Sequence, residues 1–386
     1  MSGALEGTTV VALEQAVAAP LATARLADAG ARVIKLERPE GDFARGYDDY
    51  ALGQSSYFVW INRGKESCRV DLRLAADLDL VQTMLSEADV FVQNLAPGAT
   101  DRLGIGSAAL RAAHPRLIVC DIGGFAPGTP DYLRKAYDLL IQAEAGLATI
   151  TGTEGSGPSR VGISISDIAT GQAAYAAILE ALLRRSRTGE ASHLQLSLFD
   201  TIAEFMNVPY LTRRYGGIEP PRLGLAHPSI APYGVFSCVD GEILIAIQNE
   251  REWVVLCECI LGDGRIAVDP RFASNTERVR NRSMVDDLIR TCFAQRRSAD
   301  VIALLDEYRI AYGRISDMID LARHRSTTMA PVETSRGPVE LVAPPVLVDG
   351  QRPSLRRVPD LGEHDEALRA EFAPPQHHAR ARERSR

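Results

Sequence analysis

Residues 9–36, TVVALEQAVAAPLATARLADAGARVIKL, decide the fold of this chain. Residues 9–13 are apolar and rich in β-branched side chains, and residues 32–36 repeat that pattern. Between them lies a helical stretch over residues 21–29 that Gly30 ends. A strand, a helix and a second strand in this order predict a βαβ unit, whose two strands lie parallel.

The same alternation continues to about residue 124. Strands are predicted at residues 67–72, 89–93 and 116–121, with helices at residues 75–87 and 107–113 between them. We therefore predict an α/β fold: a large Rossmann-like domain with a doubly wound parallel sheet.

The pattern changes after residue 225. Residues 234–247 predict two strands around the turn at Asp240 and Gly241, and three helices follow. We predict a large domain over residues 1–225, a smaller α+β domain over 226–325, a return to the large domain over 326–373 and a disordered tail over 374–386.

Composition narrows the possible partners. The 386 residues include 43 Lys and Arg against 50 Asp and Glu, a net charge of −7, and 46% are hydrophobic. This is the composition of a globular protein, and its acidic balance argues against binding nucleic acid or an anionic membrane.

The six cysteines form no C-x-x-C pair, so no metal site is expected. No apolar run is long enough to span a bilayer, which predicts a cytoplasmic protein.

Three common catalytic motifs are missing or incomplete. The turn at residues 14–20 lacks the glycines that bring a backbone close to a dinucleotide. Gly64 and Lys65 are followed by Glu66, so there is no phosphate-binding P-loop. Residues 162–166 end in Ser where a nucleophile elbow needs Gly. A dehydrogenase, an ATPase and a serine hydrolase are all disfavoured.

Asp167 is the carboxylate that remains. It precedes residues 168–185, which are apolar on nearly every side and predict a buried helix. One interpretation is a structural N-cap worth about 1 kcal/mol. The other is a nucleophile, held ionised by the helix N-terminus, whose reaction product the same backbone donors stabilise.

Several blocks resemble, in order along nearly the whole chain, the family III CoA-transferases, which include formyl-CoA transferase, carnitine CoA-transferase and α-methylacyl-CoA racemase. The blocks include LADAGA at 26–31, VIKLER at 33–38, NRGK at 62–65, DRLG at 101–104, SDIATG at 166–171 and LGEH at 361–364. The resemblance implies that Asp167 is the catalytic residue, which attacks an acyl-CoA and then carries CoA as an aspartyl thioester. It also implies an interlocked homodimer that binds acyl-CoA and a free carboxylic acid and has no permanent cofactor.

The resemblance further implies a CoA site. Arg38 would lie near the adenine and the 3′-phosphate, aided by Arg73, Arg102 and Lys135, because guanidinium groups suit phosphate. The remaining groove residues implied are Val70, Asn94, Leu95, Leu103 and Tyr137.

Two positions separate the reactions of this family. Tyr137 precedes Asp138 where the racemase branch has a histidine, and proton exchange needs that second base, so transfer is favoured. Val17 stands where formyl-CoA transferase has an active-site glutamine, with Gln15 two residues earlier, which puts formate and oxalate specificity in doubt.

The central region, residues 227–234 and 247–253, looks more like the branch that acts on dicarboxylates such as succinate, malate, itaconate, mesaconate and citramalate. His227 or Arg251 would bind the distal carboxylate, and Arg222 is a further candidate. The prediction is therefore a CoA-transferase for short dicarboxylic acids. The alternatives are an acyl-CoA racemase and a catalytically silent CoA-binding protein.

Overall fold

A computed structural model describes residues 3–373 of the chain. Its strands are β1 Thr9–Leu13, β2 Arg32–Glu37, β3 Lys65–Arg69, β4 Val90–Gln93, β5 Ile118–Gly123, β6 His193–Ser197, β7 Tyr233–Cys238, β8 Gly241–Ala246, β9 Tyr312–Arg314, β10 Met329–Thr334 and β11 Gly337–Val342. The tail predicted over residues 374–386 lies outside the described residues.

The helices alternate with the strands over the first part of the chain. They are α1 Ala18–Asp28, α2 Ser56–Ile61, α3 Ala75–Glu87, α4 Ala99–Arg102, α5 Ser107–Ala113, α6 Asp138–Glu144, α7 Leu147–Ile150, α8 Ile165–Thr188, α9 Leu198–Phe205, α10 Asn207–Gly216, α11 Glu250–Val255, α12 Arg265–Val268, α13 Asn275–Arg280, α14 Arg282–Phe293, α15 Ser298–Glu307, α16 Met318–Arg323 and α17 Asp365–Glu371. None of these helices is both long and apolar enough to cross a membrane.

The described residues divide into two compact units. The first contains residues 3–147, 160–208 and 328–373, and the second contains residues 148–159 and 209–327. The domain boundaries predicted at residues 225 and 325 stay a prediction.

The first unit is built on six parallel strands in the order β3-β2-β1-β4-β5-β6. The predicted parallel sheet is thereby confirmed. After β1, the chain adds β2 and then β3 on one side of β1. It then crosses to the other side of β1, where it adds β4, β5 and β6. The edge beyond the carboxyl ends of β1 and β4 is thus a topological switch point, where α/β proteins place their ligands.

Apolar side chains cover both faces of this sheet. Alternate residues such as Val10 and Val92 pack with helices α1 and α8, and their neighbours, such as Val11 and Phe91, pack with helix α3. The second unit has its own core around Trp253, next to the antiparallel sheet β7-β8-β9. Its β7-β8 hairpin confirms the turn predicted at Asp240 and Gly241.

The predicted start of helix α8 was wrong. The helix begins at Ile165, so Asp167 lies in its first turn and Ser164 is the N-cap residue. Within a single chain the helix is buried along one side, through Ser166, Thr170, Gly171, Ala174, Ile178 and Ala181. The helix starts earlier than predicted because the Ser166 backbone N–H in its first turn is satisfied by the carboxylate of Asp138, 28 residues away in the sequence.

Helices α1 and α8 pack closely because α8 has a glycine at the crossing. A Cβ atom on Gly171 would lie 2.6 Å from the carbonyl oxygen of Ala18. Real Cβ atoms do not approach backbone so closely, so any side chain here must push the two helices apart.

We expect Gly171→Val to destabilise the protein by about 1 to 3 kcal/mol, the usual cost of overpacking a core. Urea denaturation followed by circular dichroism measures this loss. Gly162→Ala is the control, because a Cβ on Gly162 meets nothing within 4 Å. Equal stability of the two variants would contradict the close packing of α1 on α8.

Candidate active site

A cavity of about 610 Å³ opens in the first unit at the switch point of the sheet. Its walls come from the segments that follow β1, β4 and β5 and from the start of helix α8. Seven of the predicted site residues line it together: Gln15, Val17, Asn94, Leu95, Lys135, Tyr137 and Asp167.

Asp167 is half-buried in the wall of this cavity. Burial, with a smaller contribution from the negative charge of Asp138, raises the pKa of Asp167 to about 7. Among residues 3–373, no hydrogen bond or ion pair involves its carboxylate. The helix N-terminus was expected to keep this carboxylate ionised, but no backbone N–H among the described residues donates to it, and burial brings its pKa close to neutral pH instead of leaving it near the ordinary value.

Asp138 takes the capping position that the sequence assigned to Asp167. One oxygen of its carboxylate accepts a hydrogen bond of 2.8 Å from the Ser166 backbone N–H, and the other accepts one of 2.8 Å from Gln142. Gln142 in turn accepts a hydrogen bond from the backbone N–H of Val161. Asp138 thus satisfies one of the free N–H groups at the start of helix α8, and the carboxylate of Asp167 is not used for that purpose.

Two tyrosines missed by the sequence analysis also line the cavity. The rings of Tyr47 and Tyr57 pack edge to face at 5.6 Å, and the Tyr57 hydroxyl lies 3.2 Å from the Ser164 hydroxyl. Burial and the charges of Asp42 and Asp167 raise the pKa of Tyr47 to about 12. Tyr47 therefore keeps its proton and can donate a hydrogen bond to a developing negative charge. Its only sequence signal is a tyrosine-rich stretch over residues 47–57.

Helix α1 begins at the same cavity. Its N-cap residue, Val17, has no side chain able to cap the helix, and Ala18 lines the cavity directly after it. The first N–H groups of an α-helix lack partners within the helix and favour negative charge. The start of α1 therefore favours negative charge at this wall of the cavity.

Five predicted CoA residues lie outside this cavity. Arg38, Arg73 and Arg102 are exposed, and they follow β2, β3 and β4 at the same edge of the sheet. Arg73 pairs with Asp71 at 2.7 Å. Val70 is buried in the core beneath that edge, and Leu103 packs partly against the same core.

His227 and Arg251 belong to the second unit. The His227 ring stacks on Tyr233 at 5.3 Å, and its Nδ1 accepts a hydrogen bond from the backbone N–H of Ser229. Arg251 is exposed on helix α11. Arg222 donates to the carbonyl oxygen of Thr149 within the same unit.

Comparison with known proteins gives a consistent result along the whole chain. The sequence profile described as CoA-transferase family III matches residues 5–365. The chain belongs to CoA-transferase family III. It is 33% identical over 378 residues to an acetyl-CoA:oxalate CoA-transferase of Acetobacter aceti, a match that covers 97% of each protein. It is 32% identical to a succinate–glutarate CoA-transferase of Agrobacterium fabrum, over 95% of each.

Solved structures agree with this assignment. A CAIB/BAIF family protein from Brucella suis is 34% identical and superposes with a TM-score of 0.81, over 96% of this chain and all of that one. Rv3272 from Mycobacterium tuberculosis is 26% identical, with a TM-score of 0.83 over 95% of this chain and 99% of that one. CoA-transferases take CoA thioesters as substrates.

No cluster of three or more His, Cys, Asp or Glu residues that could hold a metal ion occurs in the part of this CoA-transferase that the structure describes.

The raised pKa of Asp167 predicts a pH-dependent effect on stability. Its ordinary value is 3.8, so the folded protein holds this proton more tightly than the unfolded chain, and stability is lost as pH rises from about 4 to 7. Asp167→Asn removes that loss. We expect the variant to gain about 1 to 3 kcal/mol over wild type at pH 8 and clearly less at pH 5.

Urea denaturation at the two pH values measures this difference. The control is Asp200→Asn, because Asp200 is exposed and occupies the first turn of helix α9. A gain for Asp167→Asn that does not change with pH would contradict the burial of a charge at this position.

Proposed function

We propose that this enzyme transfers CoA between short dicarboxylic acids through a covalent aspartyl-CoA thioester on Asp167. The observation that carries the proposal is the carboxylate of Asp167 itself, which lines the cavity at the switch point and has no hydrogen-bond partner among the described residues. A carboxylate is one of the few side chains that can form an anhydride with an acyl group.

The reaction conserves atoms and charge at every step. A carboxylate oxygen of Asp167 attacks the thioester carbon, the C–S bond breaks, and CoA leaves as a thiolate, giving a mixed anhydride. The thiolate then attacks the Asp167 carbonyl carbon and releases the donor acid as a carboxylate. The acceptor carboxylate and the thiolate repeat the two steps in reverse, which yields the new acyl-CoA and frees Asp167.

Each attack creates a tetrahedral oxyanion that needs hydrogen-bond donors. The Tyr47 hydroxyl, which burial keeps protonated, and the uncapped start of helix α1 supply candidate donors around the same cavity. Tyr137 lines this cavity where the racemase branch has a histidine, and this difference supports transfer over racemisation.

The CoA phosphates require cations outside the reaction cavity, because the nucleotide is far longer than the reacting group. Arg38, Arg73 and Arg102 follow successive strands at one sheet edge and are exposed, and Lys135 is exposed at the cavity. We assign these four to the phosphates. Asn94 and Leu95 would flank the pantetheine, with Val70 and Leu103 supporting the groove from below.

Exposed apolar side chains support a homodimer. Helix α8 buries only one side within its own unit, and Leu183 on its other side is about half exposed. Leu139, Leu140 and Phe205 of the first unit are exposed to a similar degree. Apolar surface of this extent is typical of a protein interface, and we propose that a second copy covers it.

We expect Asp167→Ala to lower the rate of CoA transfer by at least about a thousandfold, the scale for losing a nucleophile. The affinity for free CoA should stay within about threefold, because the phosphate contacts remain. Transfer is followed by chromatography of the acyl-CoA products, and CoA binding by calorimetry. Asp200→Ala is the control, an exposed first-turn aspartate of α9. Transfer by Asp167→Ala at a rate near wild type would exclude the mechanism.

The dicarboxylate preference rests on the need to pair the second carboxylate. Leaving it unpaired in a closed site costs several kcal/mol, so a cation or several donors must meet it. The relatives described above are named for the dicarboxylates oxalate, succinate and glutarate, and the first is also named for acetyl-CoA, whose acid has a single carboxylate. We propose His227 or Arg251 as the group that binds the far end of the acceptor.

Of the variants His227→Gln and Arg251→Gln, the one that removes the group binding the second carboxylate should lower kcat/KM for succinate. This loss should be about 30- to 1000-fold greater than the loss for butyrate, which has no second carboxylate. Steady-state kinetics with the two acceptors and one acyl-CoA donor measures the ratio. Arg265→Gln is the control, since Arg265 is exposed in the same unit and pairs with Asp263. Equal losses for both acids in both variants would show that neither residue reads the second carboxylate.

A further inference from the structure

The turn after β1 has a strained backbone at the wall of the cavity. Ala16 has a φ of +63°, in the left-handed region that alanine adopts only at a cost. Gln15, Ala16 and Val17 all line the cavity that contains Asp167. A strained conformation persists only where surrounding contacts impose it, so the contacts of this turn are informative.

Two side chains hold the turn. Asn94 clamps Gln15 from one side: its Oδ1 accepts a hydrogen bond of 2.9 Å from the Gln15 N–H, and its Nδ2 donates one of 2.8 Å to the Gln15 carbonyl oxygen. From the other side, the Asp42 Oδ1 accepts a hydrogen bond of 3.1 Å from the Ala16 N–H.

The same oxygen of Asp42 also organises a second wall. It accepts a hydrogen bond of 3.0 Å from the Ala44 N–H and so caps the single 3₁₀ turn Phe43–Gly46. Phe43 and Tyr47 at the two ends of this turn line the cavity, and their rings pack at 5.7 Å. One carboxylate thus fixes two walls that face Asp167.

Asp42 is itself fixed by buried charges. Its Oδ2 accepts a hydrogen bond of 2.8 Å from Lys35, which is fully buried and also lies 3.5 Å from the Glu14 carboxylate. Asp42 is 4% exposed and does not itself line the cavity. The Lys35 ammonium group and the backbone N–H groups of Ala16 and Ala44 are all hydrogen-bond donors. Each of these three contacts therefore requires an acceptor oxygen on Asp42.

We propose that Asp42 is a positioning residue of the transfer reaction: it holds the left-handed turn at Ala16 and the turn that carries Tyr47 in the arrangement the reaction needs. This inference rests on the proposed function. Asp42 acts through the backbone of Ala16 and Ala44 and touches neither acyl group nor CoA. Its loss should therefore slow the chemical steps and leave CoA binding nearly unchanged.

The variant Asp42→Asn tests this with almost no change in shape. An amide has a single acceptor oxygen, so its NH₂ group must face Lys35 or the two backbone N–H groups, and one of these contacts becomes repulsive. We expect kcat to fall tenfold or more, with KM for succinyl-CoA within about twofold of wild type.

The matched control is Asp28→Asn. Asp28 forms a partly buried ion pair with Arg63 in the same unit and does not line the cavity. Asp28→Asn should lower the melting temperature and leave kcat within about twofold of wild type. An equal fall of kcat in the two variants would mean that Asp42 acts only through stability and would overturn the inference.

Ala16→Gly provides a rescue test that separates the positioning role of Asp42 from a general effect on stability. Glycine adopts a φ of +63° without strain, so the turn then depends less on Asp42. We expect the double variant Asp42→Asn/Ala16→Gly to recover at least threefold in kcat over Asp42→Asn alone. A further fall in kcat would contradict the role assigned to the Ala16 turn.

Asn94→Leu is the second variant if Asp42→Asn does not fold, because it leaves the buried charges intact and removes the clamp on Gln15. A fall in kcat measured at saturating succinyl-CoA supports the positioning of this turn, whatever the change in KM, whereas an unchanged kcat at saturation would overturn it. Absence of transfer by wild type would refute the proposed function itself. Transfer by wild type with unchanged kcat in Asp42→Asn would refute only the positioning role.

Discussion

Four buried charges, Glu14, Lys35, Asp42 and Lys65, lie together beneath the switch point of the sheet, and none is stable there without the others. The carboxylate of Glu14 accepts a hydrogen bond of 2.6 Å from Lys65, and Lys35 bridges Glu14 to Asp42. Burial alone would raise the pKa of Glu14, but the two lysines lower it below its ordinary value. Removing one partner would leave an uncompensated charge in the core, so the group fixes β1, β2 and β3 relative to one another.

The walls of the cavity depend on this group of charges. Lys65 donates a hydrogen bond of 2.9 Å to the carbonyl oxygen of Pro20 within helix α1, and Asp42 holds the turn that leads into that helix. Close packing at Gly171 then sets helix α8 against α1. The position of Asp167 in the first turn of α8 follows from these contacts.

Much of the fold could be predicted from the sequence, because strands β1, β2, β4 and β5 are short, mostly apolar runs next to a glycine or a helical pattern. Strand β6 was missed, since His193 and Gln195 alternate with leucines in a strand at the edge of the sheet. The position of Lys35 in the sequence could have predicted the group of buried charges. It lies between Ile34 and Leu36 in a strand predicted to be buried, where a lone cation requires partners.

The site was predicted less completely, for reasons that lie in tertiary structure. Asp138 caps helix α8 from 28 residues away, a contact that no local pattern contains. Asp167 was correctly placed at the start of a helix, but the sequence analysis expected the helix N-terminus to keep it ionised and therefore did not predict its raised pKa. Tyr47 and Tyr57 reach the cavity through a 3₁₀ turn and a short helix that were not predicted.

Intact-protein mass spectrometry after rapid acid quenching tests the central claim most directly. Wild-type enzyme mixed with succinyl-CoA in the absence of acceptor should gain the mass of CoA minus one water, and fragmentation should place the adduct on Asp167. Asp167→Asn should gain nothing under the same conditions. An adduct on any other residue, or rapid transfer with no adduct at any quench time, would contradict the account.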